Sequence, residues 1–262
     1  MAVVTLLSDF GTQDGFVGAM KGVILRRASS SQLVDLTHEL RPQDVHAGAW
    51  ALREAAATFP PGTIHLAVVD PGVGTTRQPL LLVQGGQRFV GPDNGLLTLA
   101  APQPQAAYVL DRPELHQPVV SSTFHGRDLF ASVAGHLAAG LAPELCGRPA
   151  ETWIRLCDPT VERRGRALVG EVVHVDRFGN LVTNLTGDLL GDAATWEVTL
   201  AELRVGPLVV TYGQVPSQTW LAYVGSSGRV ELAVRDGSAA ARGYARGTRV
   251  TLVPAPSPVE DA

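Results

Sequence analysis

Residues 3–69 alternate between two kinds of apolar pattern, and that alternation constrains the fold more than any other feature of the chain. Residues 3–7 form a short apolar run rich in β-branched side chains, the pattern of a buried parallel strand. Phe16, Val17, Met20, Val23 and Ile24 then recur at the spacing of one helix face, in a segment that runs to Arg27. Residues 32–36 read as a second strand. Arg41-Pro42-Gln43-Asp44 opens a helix that continues to about Thr58, with Val45, Ala49, Leu52 and Ala56 inward and Asp44 suited to the positive helix start. Pro60-Pro61-Gly62 stops it, and residues 64–69 form a third strand. Strand, helix, strand, helix, strand predicts a layered α/β domain with a mainly parallel sheet.

Residues 80–83 and 88–90 predict a hairpin around Gly85-Gly86, residues 107–110 a further strand, and residues 129–139 a helix. This first domain is expected to cover residues 1–158. Residues 159–166 are charged and contain Pro159 and Gly165, which predicts a linker. In residues 167–262 helical periodicity mostly disappears, and short β-type runs separated by Gly-rich turns predict a small all-β barrel or sandwich. The Pro-rich, acidic tail, 254–262, is expected to be frayed.

Composition narrows the class of function. A chain of 262 residues with 45% hydrophobic and 18% charged residues can build a sizeable core. A net charge of −4 argues against nucleic acid as a partner held by a basic surface. No signal-peptide pattern opens the chain and no apolar run reaches membrane-spanning length, so no membrane partner is expected. Cys146 and Cys157 have neither metal nor redox spacing and are expected to be free thiols in a cytoplasmic protein.

The polar residues that could carry chemistry stand at element ends. Asp9 closes the first strand ahead of Gly11. Asp70 closes the third, ahead of Pro71-Gly72-Val73-Gly74, with Arg77 following. His125 precedes the third helix. In a parallel sheet the loops after the strands gather on one edge, where ligands bind, so these side chains are expected to converge. Each also has a plainer reading: Asp9 as a turn or helix-start acid, Asp70 and Arg77 as an incidental surface pair, His125 as a capping-region histidine. His38, His46, His65, His116, His136 and His174 read as structural or exposed. There is no zinc spacing, so no metal is expected; there is also no Gly-x-Ser-x-Gly elbow and no phosphate-binding glycine loop.

The second domain has two dense stretches. In Asp176-Arg177-Phe178-Gly179-Asn180, Phe178 could stack on a flat base, Asn180 could read a donor–acceptor edge, and Asp176 could hold an ammonium; the alternative is an ordinary Asn/Gly turn. In Gly225-Ser226-Ser227-Gly228, followed by Val230 and Glu231, the hydroxyls could bind a carboxylate; the alternative is a hairpin turn.

Taken together, Ser8-Asp9-Phe10-Gly11, Val69-Asp70-Pro71-Gly72-Val73-Gly74, Gly91-Pro92-Asp93-Asn94-Gly95, Phe124-His125-Gly126-Arg127-Asp128, Asp176-Arg177-Phe178-Gly179-Asn180 and Ser226-Ser227-Gly228 occur in one order. Over residues 3–253 the chain resembles the S-adenosyl-L-methionine hydroxide adenosyltransferases, relatives of the fluorinases and chlorinases. The resemblance implies an α/β domain followed by a β-barrel. It also implies a homotrimer with sites between neighbouring subunits, and hydrolysis of S-adenosyl-L-methionine to adenosine and L-methionine. That molecule would be the substrate, and no cofactor is called for. The family's Asp–Arg–His trio matches Asp70, Arg77 and His125, with Asp70 or His125 as the base. Asp9 would hold the ribose, Phe178 and Asn180 the adenine, and Asp14, Asp176, Ser226, Ser227 and Glu231 the methionine end. Ser227 stands where the halogenating relatives carry arginine, and Phe16 replaces a small polar residue, which weakens the methionine-end contacts. The other readings are a chloride-using synthase and a nucleoside-binding module without turnover.

Overall fold

The computed structural model describes residues 1–191 and 196–255; the outermost tail named above, 256–262, lies outside them. The chain divides into two compact units, one spanning Met1–Cys157 and one beginning at Asp158.

The first unit is a seven-stranded mixed sheet with helices on both faces. Its elements are β1 (Val3–Ser8), α1 (Phe16–Arg27), β2 (Gln32–Thr37), α2 (Val45–Ala56), β3 (Ile64–Val68), β4 (Pro79–Gln84), β5 (Gln87–Pro92), β6 (Ala106–Val109), α3 (Ala131–Ala138) and β7 (Arg148–Pro149). Strand order is β2-β1-β3-β5-β4-β6-β7. The pairs β2–β1, β1–β3 and β3–β5 are parallel, while β5–β4, β4–β6 and β6–β7 are antiparallel. The predicted hairpin is therefore what makes the sheet mixed. Gly85 and Gly86, at φ +58° and +76°, close it in the left-handed conformation that glycine adopts without strain.

The central strands are buried on both faces, which is why they read as continuous apolar runs. Val4, Leu6, Leu66, Val68, Leu81 and Val90 pack with Met20, Ile24, Val133 and Leu137 of α1 and α3. The alternating positions Leu7, Ala67, Val69, Leu80, Leu82 and Phe89 pack with Ala49 and Leu52 of α2 on the other side. Helix α2 starts later than its sequence pattern suggested. Asp44 is its N-cap, accepting from the Ala47 N–H at 3.0 Å, and Gln43 before it bends into the left-handed region at φ +68°. Phe16, expected inward on α1, is 46% exposed because it sits in the first turn, beyond the reach of the sheet.

The second unit is a closed β-barrel with one strand appended. It consists of β8 (Glu162–Arg164), β9 (Ala167–Val175), β10 (Leu181–Thr186), β11 (Trp196–Leu200), β12 (Leu203–Val209), β13 (Trp220–Val224), β14 (Arg229–Val234) and β15 (Arg249–Pro254). The ring runs β10-β14-β13-β12-β11-β15-β9 and closes through the β9–β10 pair, with β8 outside it on β9. Leu168, Val172, Leu181, Val198, Ala222, Leu232 and Leu252 fill its interior. The stretch expected to be a linker, 159–166, holds β8 and belongs to this unit. All of β8 is exposed, so its pairing rests on the backbone and leaves no apolar trace in the sequence.

Cys146 is buried and Cys157 exposed, both as free thiols. Among the described residues no helix is long and apolar enough to cross a membrane.

Candidate active site

The sheet places the first unit's candidates along one edge. Asp9 follows β1 and Asp70 lies just past β3. Arg77 precedes the antiparallel β4, whose start lies at the same edge as the end of β5. This is the crevice outside the carboxyl ends of parallel strands where open α/β sheets bind ligands.

Asp70, Arg77 and His125 form one connected chain. Arg77 Nε donates to Asp70 Oδ1 at 3.1 Å and Nη2 to Oδ2 at 2.5 Å, a two-pronged pair that fixes the carboxylate plane. The same Nη2 lies 3.0 Å from His125 Nδ1. The Asp70 and Arg77 side chains are only 5% and 8% exposed. A guanidinium does not give up its proton, so His125 Nδ1 is the acceptor, and a neutral ring then carries its hydrogen on Nε2. Burial, followed by the Arg77 charge, lowers the His125 pKa below the usual histidine value, against the opposing pull of Asp70 and Asp128. The imidazole is thus held neutral, with an Nε2–H donor.

Local structure holds the three in place. The Asp70 loop is a tight turn: Val73 N–H donates to Asp70 O, and Thr75 Oγ1 donates to Gly72 O at 2.7 Å. Gly74 has φ +76°, and a Cβ there would lie 2.5 Å from Ser122 O, so only glycine lets this loop press against the segment leading to His125. After His125 the chain makes one wide turn, Gly126–Phe130, before α3 begins. Asp128 holds that segment and is 1% exposed. It accepts from Ser121 N at 2.8 Å and from Arg127 Nε at 2.6 Å. Burial pushes its pKa up, but Arg127 and the Ser121 N–H outweigh burial and hold it below the usual carboxylate range. Reading the sequence did not give Asp128 a role, although it stands in a motif already singled out.

An open cleft of about 560 Å³ borders Arg77, lined by Gly72, Thr75, Asp93, Asn94 and Ile154. Asn94 Nδ2 donates to Val69 O at 2.8 Å, tying the loop after β5 to the end of β3. Burial raises the Asp93 pKa, against the Ile154 N–H and the Arg77 charge. Phe10, Phe16 and Phe124 meet edge to face at 5.3–6.0 Å between ring centres, an apolar wall next to His125 in the chain. Asp9 accepts the Gln43 N–H at 2.7 Å through Oδ2, and Asp14 is exposed. Among the described residues no group of three or more His, Cys, Asp or Glu is placed to hold a metal.

In the second unit, Asp176 and Asn180 bind each other. Asp176 Oδ1 accepts the Asn180 N–H and Oδ2 accepts Asn180 Nδ2, both at 2.8 Å. Asn180 is 8% exposed, whereas Phe178 at the tip of the turn is 77% exposed. Ser226 is exposed, and Ser227 Oγ is buried with no hydrogen-bond partner among the described residues. Glu231 accepts the Tyr223 hydroxyl at 2.7 Å, and Tyr223 in turn meets Tyr212.

Fold and site define the class: an α/β unit with a charged ligand edge, followed in the chain by a closed β-barrel. The chain belongs to the S-adenosyl-L-methionine hydroxide adenosyltransferase family, whose N-terminal domain model matches residues 4–147 and whose C-terminal domain model matches residues 170–250. It is 43% identical to the (R)-S-adenosyl-L-methionine hydrolase of Thermus thermophilus, over 97% of this chain and 100% of that protein. It is 40% identical to the (R)-S-adenosyl-L-methionine hydrolase of Salinispora tropica, over 90% and 92%. Its fold matches the crystal structure of an uncharacterized conserved protein from Thermotoga maritima at a TM-score of 0.87 and 32% identity, over 95% and 99% of the two chains.

Proposed function

We propose that this protein hydrolyses S-adenosyl-L-methionine to adenosine and L-methionine, with Asp70, Arg77 and His125 at the reacting centre. The buried Asp70–Arg77–His125 chain at the sheet edge carries the reading. The sulfonium is already a good leaving group, so the task is the nucleophile: bulk water has a pKa of about 15.7. A water oxygen forms the bond to C5′ as the C5′–S pair leaves with sulfur, giving a neutral thioether. The attacking water becomes an oxonium as the bond forms, a far stronger acid than any carboxylic acid, so a carboxylate paired with arginine is base enough to take its proton. Asp70 is that base, because His125 presents Nε2–H and serves as a donor that orients the water. Arg77 keeps both in register. Orientation of this kind can contribute up to roughly 7–11 kcal/mol, and general-base help about 10²–10⁴-fold.

Asp9 binds the ribose hydroxyls, Phe178 and Asn180 the adenine, and Asp14, Asp176, Ser226, Ser227 and Glu231 the methionine end. The active form is a homotrimer in which one subunit's first unit works with a neighbour's second; the bare Phe178 ring supports this, since it needs a cover. The two free thiols suit a cytoplasmic location.

Turnover in ¹⁸O-labelled water tests the reaction. The label is expected at the adenosine 5′ oxygen and absent from methionine, and Asp70→Ala is expected to lower kcat by about 10²–10⁴-fold. Recovery of intact substrate, or of 5′-chloro-5′-deoxyadenosine when chloride is supplied, overturns it.

A further inference from the structure

A second buried polar chain runs beneath the loop that carries Asp9. Ser8, the last residue of β1, is 0% exposed, and its Oγ lies 2.7 Å from His38 Nδ1. His38 is 4% exposed, and its Nε2 lies 3.1 Å from Asp35 Oδ1. Lys21 Nζ donates to Asp35 Oδ2 at 2.6 Å. Burial pushes the Asp35 pKa up, but Lys21 and His38 outweigh it and hold the carboxyl low, so Asp35 is an acceptor only. His38 Nε2–H therefore donates to Asp35, the Ser8 Oγ–His38 Nδ1 hydrogen bond links the ring to β1, and Ser8 Oγ accepts the Phe10 N–H at 3.3 Å. The residues are Ser, His and Asp, yet no nucleophile is on offer, since the Ser8 hydroxyl is sealed from any substrate.

The chain instead ends on the amide next to Asp9, and three further bonds stitch the same two loops together. Gly11 N–H donates to His38 O at 2.8 Å, Thr12 Oγ1 to Glu39 Oε1 at 2.9 Å, and Gln43 N–H to Asp9 Oδ2 at 2.7 Å. Gly11 turns at φ +66°, which glycine allows freely, but Gln43 sits in the left-handed region at φ +68°, a shape that ordinary local preferences resist. Asp9 Oδ1 has no partner among the described residues, which leaves it open to a hydroxyl.

We propose that His38 is a positioning residue for ribose: acting through Ser8 and the Phe10 amide, it fixes Asp9 so that its unpaired oxygen meets the sugar hydroxyls. This rests on the ribose role given to Asp9 above. A positioned carboxylate loses binding when its support is removed, and it loses it only for ligands that carry the hydroxyls.

The test measures KM and kcat for S-adenosyl-L-methionine, and Kd for adenosine and 2′,3′-dideoxyadenosine, in the full-length protein. His38→Asn is expected to raise KM and the adenosine Kd about tenfold, with kcat and the dideoxyadenosine Kd within twofold of the unmodified protein. Placed on Asp9→Asn, the same change should add nothing, because residues acting through one another are not additive. Asp35→Asn alters only the half-exposed end of the chain and keeps the test alive if His38→Asn does not fold; it should shift the adenosine Kd about threefold in the same selective way. Equal weakening of both nucleosides, or independent effects of His38 and Asp9, overturns the proposal. If the unmodified protein fails to turn over but binds adenosine in a hydroxyl- and His38-dependent way, the hydrolase reading falls and the positioning role stands. Failure to bind either nucleoside overturns the positioning role, and overturns the hydrolase reading as well only if S-adenosyl-L-methionine is also recovered intact.

Discussion

The Asp70 edge of the first unit and the Asp176 turn of the second use the same residue types to opposite ends. Asp176 is bound by Asn180, four residues on, through two bonds of 2.8 Å. That is a turn satisfying itself, and it would form in many proteins with no ligand at all. Asp70 is bound by a guanidinium that also reaches a histidine 48 residues further along, and both charges are nearly buried. Burying an ion pair costs desolvation that its attraction seldom more than repays, so stability alone gives little reason to build one. A polar contact closed within a few residues reports on the chain's own backbone; one assembled across a sheet edge at such cost reports on chemistry.

The sharpest way to break this contrast is to remove Arg77. Arg77→Leu leaves the Asp70 carboxylate buried without its partner, which is expected to destabilise the first unit by about 3–5 kcal/mol. Turnover should fall by at least about 10²-fold, as the base loses its orientation and His125 its neighbour. Arg77→Lys keeps the charge but loses the fork, and should fall between the two. Denaturant titration and steady-state kinetics read both quantities. If Arg77→Leu proves no more harmful than Asp176→Ala, the two regions are alike after all.

What could be read from the sequence follows the same line. The acids at strand ends were visible because a strand-then-glycine pattern fixes where a parallel strand stops, and the topology brings those stops together. Phe16 to Arg27 and the Gly85-Gly86 hairpin carry their own periodicity and turn chemistry. The Ser8–His38–Asp35 chain was not visible, because only the pairing of β1 with β2 and the bend after β2 bring those side chains into reach. Strand β8 was hidden because all of its residues face solvent, and the wide turn at Gly126–Phe130 has no residue signature of its own. Asp128 was passed over because an acid beside an arginine in a loop reads as a solvated pair; only its 1% exposure tells otherwise.

Acid should separate the two units next. His65, His116, His125 and His136 all have pKa values below the usual histidine value, burial being the first cause in each, and all four belong to the first unit. His65 is fully buried, stacked on Phe89 at 4.8 Å, and its pKa is lowered to about 4. The unfolded chain takes up this proton near 6.5 and the folded one only near 4, so the unfolded state binds more protons across that window. Stability is complete above pH 6.5 and falls as pH drops toward 4. For His65 alone the loss is about 3 kcal/mol. Hydrogen exchange is expected to show protection falling in residues 1–157 over this range before residues 158–255. His65→Gln should remove most of that difference. Equal loss in both units would mean that the buried histidines are not what sets acid sensitivity.

The smallest effects test whether the Asp176 turn is only a turn. Phe178 is 77% exposed, so Phe178→Ala removes little packing, and stability should hold within about 0.5 kcal/mol. If the ring stacks on adenine, KM should rise about tenfold, in line with the roughly 1–3 kcal/mol that base–aromatic stacking supplies. Asp176→Ala does the reverse on the structural side. It frees the Asn180 N–H and side-chain amide, which should lower the midpoint of unfolding by about 1 kcal/mol in stability terms. Its effect on KM depends on where the ligand's charge sits. A KM for the sulfonium substrate that rises more than the Kd for adenosine places Asp176 at the amino-acid end; equal changes mean that it acts only by shaping the turn that presents Phe178 and Asn180. In that second case the carboxylate that looked like a ligand in the sequence is scaffolding, and the contrast with Asp70 is complete.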